Sequence, residues 1–280
     1  MRVAMIELDG RAVPAVVLPE GGFVDLAGRG LPWRDVEELI EAGEEGLRDA
    51  ESVAGSGGPG IDSARLLCPL SRPEKIMCIG KNYADHCREL GSALPEMPVL
   101  FAKYRNALAG PGEEIRLPSA SKMVDYEAEL AVVIGARCKD VSPEEALSFV
   151  FGYTCANDLT MRDAQKADGQ WTRAKSPDSF CPLGPWIVTA DEIADPHRLS
   201  IRLTLNGKLM QESNTEQMVF GVAELVSYLS STMTLQPGDL LLTGTPPGVG
   251  AGRDPQVFLK KGDRVSVELE SIGSLENRMV

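Results

Sequence analysis

Two periodicities divide this chain. Some stretches carry apolar residues at every second position and others at every third or fourth, which separates strands from helices. Residues 1 to 18 alternate loosely and predict two strands in a hairpin. "LPWRDVEELIEAG" follows, with Val36, Leu39 and Ile40 at helical spacing and Gly43 as its stop. "EKIMCIG", "EAELAVVIGARC" and "FGYTCAND" predict strands. "VSPEEALSFVFG" predicts a compact helix, with Ser142 as N-cap, Pro143 in the first turn, Glu145 closing a capping box and Gly152 ending it. Ile201, Leu203 and Leu205 alternate before Asn206-Gly207, a hairpin signal. Met218, Val222, Leu225, Val226 and Leu229 share one helical face. "GDLLLTGTP" and "DRVSVELESIG" are late strands, and "SIGSLENRMV" closes the last of them. Helices are few and irregularly placed, so a regular βαβ winding is excluded. The expected class is α+β, a mainly β core with short helices at its edges. "AGSGGPG", residues 54 to 60, is the most loop-like stretch. It predicts a boundary between a small N-terminal domain, residues 1–60, and a main domain, residues 61–280.

Composition narrows the function classes. Of 280 residues, 43% are hydrophobic and 25% charged, an ordinary globular mixture. The formal net charge of −13 argues against nucleic acid and anionic membranes as partners. It also repels small anions at long range, so a site for an acid must supply its own cations. No apolar run approaches the roughly 20 residues of a membrane span. The start of the chain lacks the continuous apolar core of a signal peptide, and a cytosolic (cytoplasmic) address is expected. Six cysteines without CxxC spacing read as reduced thiols, and two histidines, His86 and His197, are too few for an ordinary zinc site.

"VDYEAELAVVIG" places Asp125, Glu127 and Glu129 at alternate positions of a strand-like segment. Glu127 and Glu129 therefore share a face, which Asp125 extends. Adjacent buried carboxylates repel, and a hard divalent cation offsets that cost. The other reading is a solvated edge strand whose charges deter aggregation. In "YTCANDLTMRDAQ", Asp158 at a strand end supplies a third carboxylate or caps a following helix, and both roles are compatible. Arg162 and Gln165 follow on the side of Asp158. "GKNYADHCREL" sets His86 and Glu89 three apart, so Glu89 can orient the imidazole. A rival pairs Cys87 with His197 as a metal-independent nucleophile. Lys175 stands in "WTRAKSPDSFCPLGPW", read as a loop, and Thr245 stands in "LLTGTPPGVG", whose glycines leave N–H groups free for an anionic oxygen.

Together with "LNGKLMQESNTEQMVF", these segments span residues 76 to 250 in order and resemble the fumarylacetoacetate hydrolase family, in its branch of acylpyruvases, isomerases and decarboxylases. The resemblance implies a mixed β-sandwich roll and a homodimer. It implies Mg²⁺ or Mn²⁺, with Ca²⁺ as a substitute, held by Glu127, Glu129 and Asp158. It makes His86 and Glu89 a catalytic dyad on a lid, adds Lys175 as a catalytic cation, and places Arg162, Gln165 and Thr245 against substrate. Gly91, Pro95 and Pro98 lie in segment 81 to 98, which is therefore expected to be mobile without ligand. The implied reaction is cleavage of a C–C bond in a small anionic 2-oxo (2,4-diketo) acid such as an acylpyruvate. The alternatives are isomerisation or decarboxylation of 2-hydroxyhepta-2,4-diene-1,7-dioate or oxaloacetate-type acids. A third is binding of metal or a small acid without turnover.

Overall fold

The computed structural model describes residues 1–56, 60–89 and 91–280. Most strands belong to one of two sheets. The larger runs, edge to edge, Phe23–Asp25, Arg11–Val17, Arg2–Leu8, Cys181–Thr189, Val150–Asn157, Ala128–Ile134, Leu240–Leu242, Ile76–Gly80 and Val99–Lys103. The smaller runs Lys208–Asn214, Ser200–Leu205, Arg264–Leu269, Gly273–Met279 and Glu114–Ile115. Most neighbours are antiparallel, but Leu240–Leu242 lies parallel to Ile76–Gly80, so the larger sheet is mixed. The α+β expectation is therefore met.

The central strands Ala128–Ile134 and Val150–Asn157 are buried at every position, so both of their faces are covered. The smaller sheet packs on them through Arg264–Leu269 and Gly273–Met279. The Asn206-Gly207 turn has φ of 53° and 78° at its central residues, the left-handed pair that matches the twist of a tight hairpin. The strand Arg2–Leu8 pairs with Cys181–Thr189, Val3 facing Ile187, so the N-terminal hairpin extends the main sheet. Of the stretch read as a domain boundary, residues 57–59 lie outside the described residues, and the helix Gly43–Gly55 occupies its beginning.

Several elements differ from the sequence reading. The helix ending near Gly43 spans Val36–Glu41, with Asp35 accepting the Glu38 N–H at 2.8 Å, and a second helix follows that periodicity did not show. That helix buries only Gly46 and Ala50, so its apolar stripe is too thin to read. The capping box at Ser142 and Glu145 forms, but the α-helix covers only Pro143–Ala146, and a 3₁₀ turn Leu147–Phe149 leads into the strand at Val150. The late helix starts at Val222, leaving Met218 outside it.

Candidate functional site

Strand pairing assembles the carboxylates. Ala128 faces Asn157 and Glu129 faces Ala156 across an antiparallel ladder. The Asn157 side chain accepts the Glu127 N–H at 3.0 Å, and the Asp158 N–H donates to the Glu127 carbonyl at 2.9 Å. One oxygen each of Glu127, Glu129 and Asp158 therefore lies within 4.8 Å of the others, and all three residues are buried. Among the described residues the cluster belongs to a buried sheet, so the reading of a solvated edge strand does not stand. Asp125 sits instead in a two-stranded ribbon with Thr160–Met161, and its carboxylate meets the Arg162 Nε at 2.8 Å. Asp158 does not cap a helix. Thr160–Met161 is extended, the helix begins at Arg162, and both Asp158 oxygens are taken by lysines.

Three cations surround this cluster. The Lys175 Nζ donates to Glu127 Oε2 at 2.7 Å and to Asp158 Oδ2 at 2.5 Å. Lys175 is only 2% exposed and ends the short helix Thr172–Lys175, not a loop. The Arg162 guanidinium bridges Asp125 and Glu127, the latter at 2.6 Å. Sequence reasoning missed the third cation. Lys103, at the end of the edge strand Val99–Lys103, is fully buried and donates to Asp158 Oδ1 at 2.6 Å. A lone lysine in an edge strand carries no spacing signal, because such residues commonly face solvent.

These neighbours set the proton affinities. Burial pushes the Glu127 carboxyl up, but Lys175 and Arg162 outweigh it and hold it at about 2. Burial pulls the Lys175 ammonium down, but Asp158 and Glu127 hold it above its ordinary value. Glu129 is the exception. Burial, then Asp158 and Glu127, push it well above the usual carboxylate range, against the charge of Lys175 and one N–H from Gly244 at 2.7 Å. With all four carboxylates (Asp125, Glu127, Glu129, Asp158) ionised, as binding of a cation by Glu129 requires, they face three cations and leave one negative charge in excess; no cation pairs with Glu129 among the described residues. Three clustered carboxylate oxygens with one unneutralised charge fit a hard divalent ion.

The glycine turn after Leu240–Leu242 holds the acids in place. The N–H groups of Gly244, Gly248 and Gly250 donate to Glu129, Glu89 and Asp125 at 2.7, 2.9 and 2.7 Å. The anionic oxygens this turn accepts are the protein's own. Gly244 has φ +100°, and a Cβ there would lie 2.8 Å from the Cβ of Asn82.

The short helix Ala84–Glu89 covers the site. His86 Nδ1 lies 2.9 Å from Glu89 Oε2, and the other Glu89 oxygen takes the Gly248 N–H, so one carboxylate both orients the imidazole and fastens the helix. His86 is buried. Cys87 is also buried and its thiol points at the Lys81 carbonyl, while His197 Nε2 accepts the Val222 N–H, so the rival Cys87–His197 pair is engaged elsewhere.

A cavity of about 170 Å³ collects the predicted residues His86, Glu127, Glu129, Arg162, Gln165, Lys175 and Thr245 on its wall, with Ile79, Gly80, Lys81, Phe101 and Trp171. Glu89 and Asp158 touch it through His86 and Lys175. Arg162 donates to Gln165 at 3.1 Å, and Thr245 accepts from Gln211 at 2.9 Å. Such a volume is below the roughly 300–1,000 Å³ of pockets for drug-sized ligands, and suits a small molecule.

Residues 75–280 match the family model for the C-terminal region of fumarylacetoacetate (FAA) hydrolase. The chain belongs to the fumarylacetoacetate hydrolase family. Within it, the chain is 45% identical over 265 residues to a mitochondrial oxaloacetate tautomerase of Rattus norvegicus, covering 93% of this chain and 84% of that protein. It is 42% identical to a 2,4-didehydro-3-deoxy-L-rhamnonate hydrolase of Sphingomonas, covering 95% and 91%. The solved structure of a maleylpyruvate hydrolase from Sphingobium, in complex with manganese(II) and pyruvate, superposes with a TM-score of 0.82 at 32% identity, covering 100% and 99%. The family thus includes isomerases and hydrolases, and the fold is that of the family. The expectation of a cytosolic address is overturned, since the rat relative and counterparts from cattle and human are named as mitochondrial proteins.

Proposed function

We propose that the protein is a metal-assisted isomerase of small 2-oxo acids of the oxaloacetate type, moving a proton at the carbon next to the 2-oxo group. The observation that supports this reading is a buried base, His86, on the wall of a small cavity it shares with a carboxylate cage whose charge three cations only partly offset. Glu127, Glu129 and Asp158 would hold Mg²⁺ or Mn²⁺, which supplies Lewis-acid polarisation of the 2-oxo group. The excess negative charge of the cage then becomes a single positive one, suited to a carboxylate. Lys175 and Arg162 keep Glu127 ionised, and Lys103 with Lys175 fixes Asp158. Glu89 holds a proton on His86 Nδ1, which leaves Nε2 as the lone-pair nitrogen that lifts the proton from C3 and delivers it to the 2-oxo oxygen, or carries it back in the reverse direction. The helix over the cavity excludes water.

Hydrolysis of a C–C bond is the second reading, favoured by the amide of Gln165 on the cavity wall, which suits the positioning of a water for His86 to activate. The hydrolases among the relatives also support it. One experiment covers both. Keto–enol interconversion of oxaloacetate and cleavage of an acylpyruvate are measured in parallel on the wild type and His86→Ala, both loaded with Mn²⁺. The variant is expected to keep its metal and lose about 10²–10⁴-fold in kcat, the usual worth of a general base. Full activity of the variant on both acids would overturn the assignment of the base.

We also infer a homodimer. Leu94, Met97, Leu100 and Tyr104 are exposed on the segment that forms the open edge strand Val99–Lys103, an apolar strip suited to burial against a second copy.

A further inference from the structure

The cations around the carboxylate cage are committed to its acids. Lys175 holds Glu127 and Asp158, Lys103 holds Asp158, and Arg162 holds Asp125 and Glu127. One cation on the cavity wall is different. Lys81 lines the cavity, is exposed, and pairs with no carboxylate among the described residues. The two acids on the same wall are Glu127, held by Arg162 and Lys175, and Glu129, held by the Gly244 N–H; neither pairs with Lys81 among the described residues. Ile79, Phe101 and Trp171 are apolar, and Gly80 has no side chain, a Cβ there lying 2.6 Å from the Trp171 ring.

Its backbone is unusually well anchored for an exposed lysine. Lys81 has φ +57°, a left-handed conformation that a side-chain-bearing residue adopts only where its surroundings impose it. The next residue, Asn82, is fully buried. Its side chain donates to the Phe220 and Thr243 carbonyls at 3.0 and 2.8 Å and accepts the Phe220 N–H at 2.9 Å. The Lys81 carbonyl receives the Cys87 thiol. The stem of this lysine is thus fixed between the strand Ile76–Gly80 and the covering helix, and only its chain of methylenes is free.

We propose that Lys81 is a specificity-determining residue that takes the second carboxylate of a dicarboxylic 2-oxo acid. This rests on the 2-oxo acid reading given above. The first carboxylate and the 2-oxo group occupy the caged end of the cavity, and a four- or five-carbon acid then carries its distal carboxylate toward Lys81, which has no carboxylate partner among the described residues. The need is physical. A surface of net charge −13 repels a dianion more strongly than a monoanion, and a local ammonium at the wall offsets that repulsion where the ligand enters. A charge-assisted hydrogen bond there corresponds to about 10- to 100-fold in affinity.

The experiment compares oxaloacetate with a monocarboxylic analogue, acetylpyruvate, on the full chain loaded with Mn²⁺, for wild type, Lys81→Met and Lys81→Arg. The expected result is a KM for oxaloacetate raised about 10- to 100-fold in Lys81→Met with kcat within about threefold, and recovery in Lys81→Arg. The KM for acetylpyruvate is expected to change less than about threefold, since it lacks the second carboxylate. A Lys81→Met variant that raises both KM values equally, or neither, overturns the proposal. Wild-type turnover of neither acid sinks the 2-oxo acid reading, and this inference with it. Thermal midpoints of the three proteins without substrate separate a merely structural loss, which would lower the midpoints and raise both KM values.

Discussion

Lys103 shows what one residue adds to a cluster read from sequence. With the three carboxylates and a divalent ion alone, the site carries net negative charge and should reject an acid. Adding Lys103, Lys175, Arg162 and Asp125 leaves a metal-loaded site with one positive charge. Glu127, Glu129 and Asp158 were legible because alternation and a strand end placed them, and a run of like charges needs an explanation. Lys103 was not legible, because nothing in "VLFAKYRN" says that its stem turns inward beneath Asp158. Lys103→Met strips a buried acid of its partner, which typically costs about 3–5 kcal/mol. A lowered thermal midpoint is expected by calorimetry, partly restored by saturating Mn²⁺, because the ion supplies the missing charge. An unchanged midpoint would mean that Asp158 is satisfied without it.

At the scale of elements, the site is held by a turn. Three N–H groups of residues 244–250 fasten acids from three places: Glu129 on the central strand, Asp125 on the small ribbon and Glu89 on the covering helix. The glycines were visible in the sequence as a possible anion cradle, but only the fold shows whose anions they hold. The strands were legible because their two-residue alternation survives in sequence. The helix Gly43–Gly55 and the helix carrying Lys175 were not, one because it buries little and the other because four residues make too short a period. Gly244→Ala forces a left-handed backbone on alanine and a Cβ against Asn82. A loss of at least about 1–3 kcal/mol in stability is expected by urea unfolding, with weakened Mn²⁺ binding because the Glu129 anchor shifts. Wild-type metal affinity in this variant would show that the turn is only a connection.

For the whole molecule, the order of the larger sheet is what sequence could not supply. Pairing of Arg2–Leu8 with Cys181–Thr189 joins segments nearly 190 residues apart in numbering, a relation no local pattern encodes. The class, few helices around a β core, was legible because helices and strands alternate irregularly. The apolar strip at Leu94, Met97, Leu100 and Tyr104 leads to an expected dimer mass by light scattering, and to a monomer for Met97→Lys with Leu100→Lys. A wild-type monomer would contradict the inferred interface. The central claim is that the buried cage takes a divalent ion because no cation pairs with Glu129 among the described residues. Titration of metal-stripped protein with Mn²⁺ by calorimetry tests it most directly, on wild type and Glu129→Gln. One ion per chain is expected for the wild type, with affinity reduced at least about 100-fold in the variant. No binding by the wild type, or equal binding by both proteins, would contradict it.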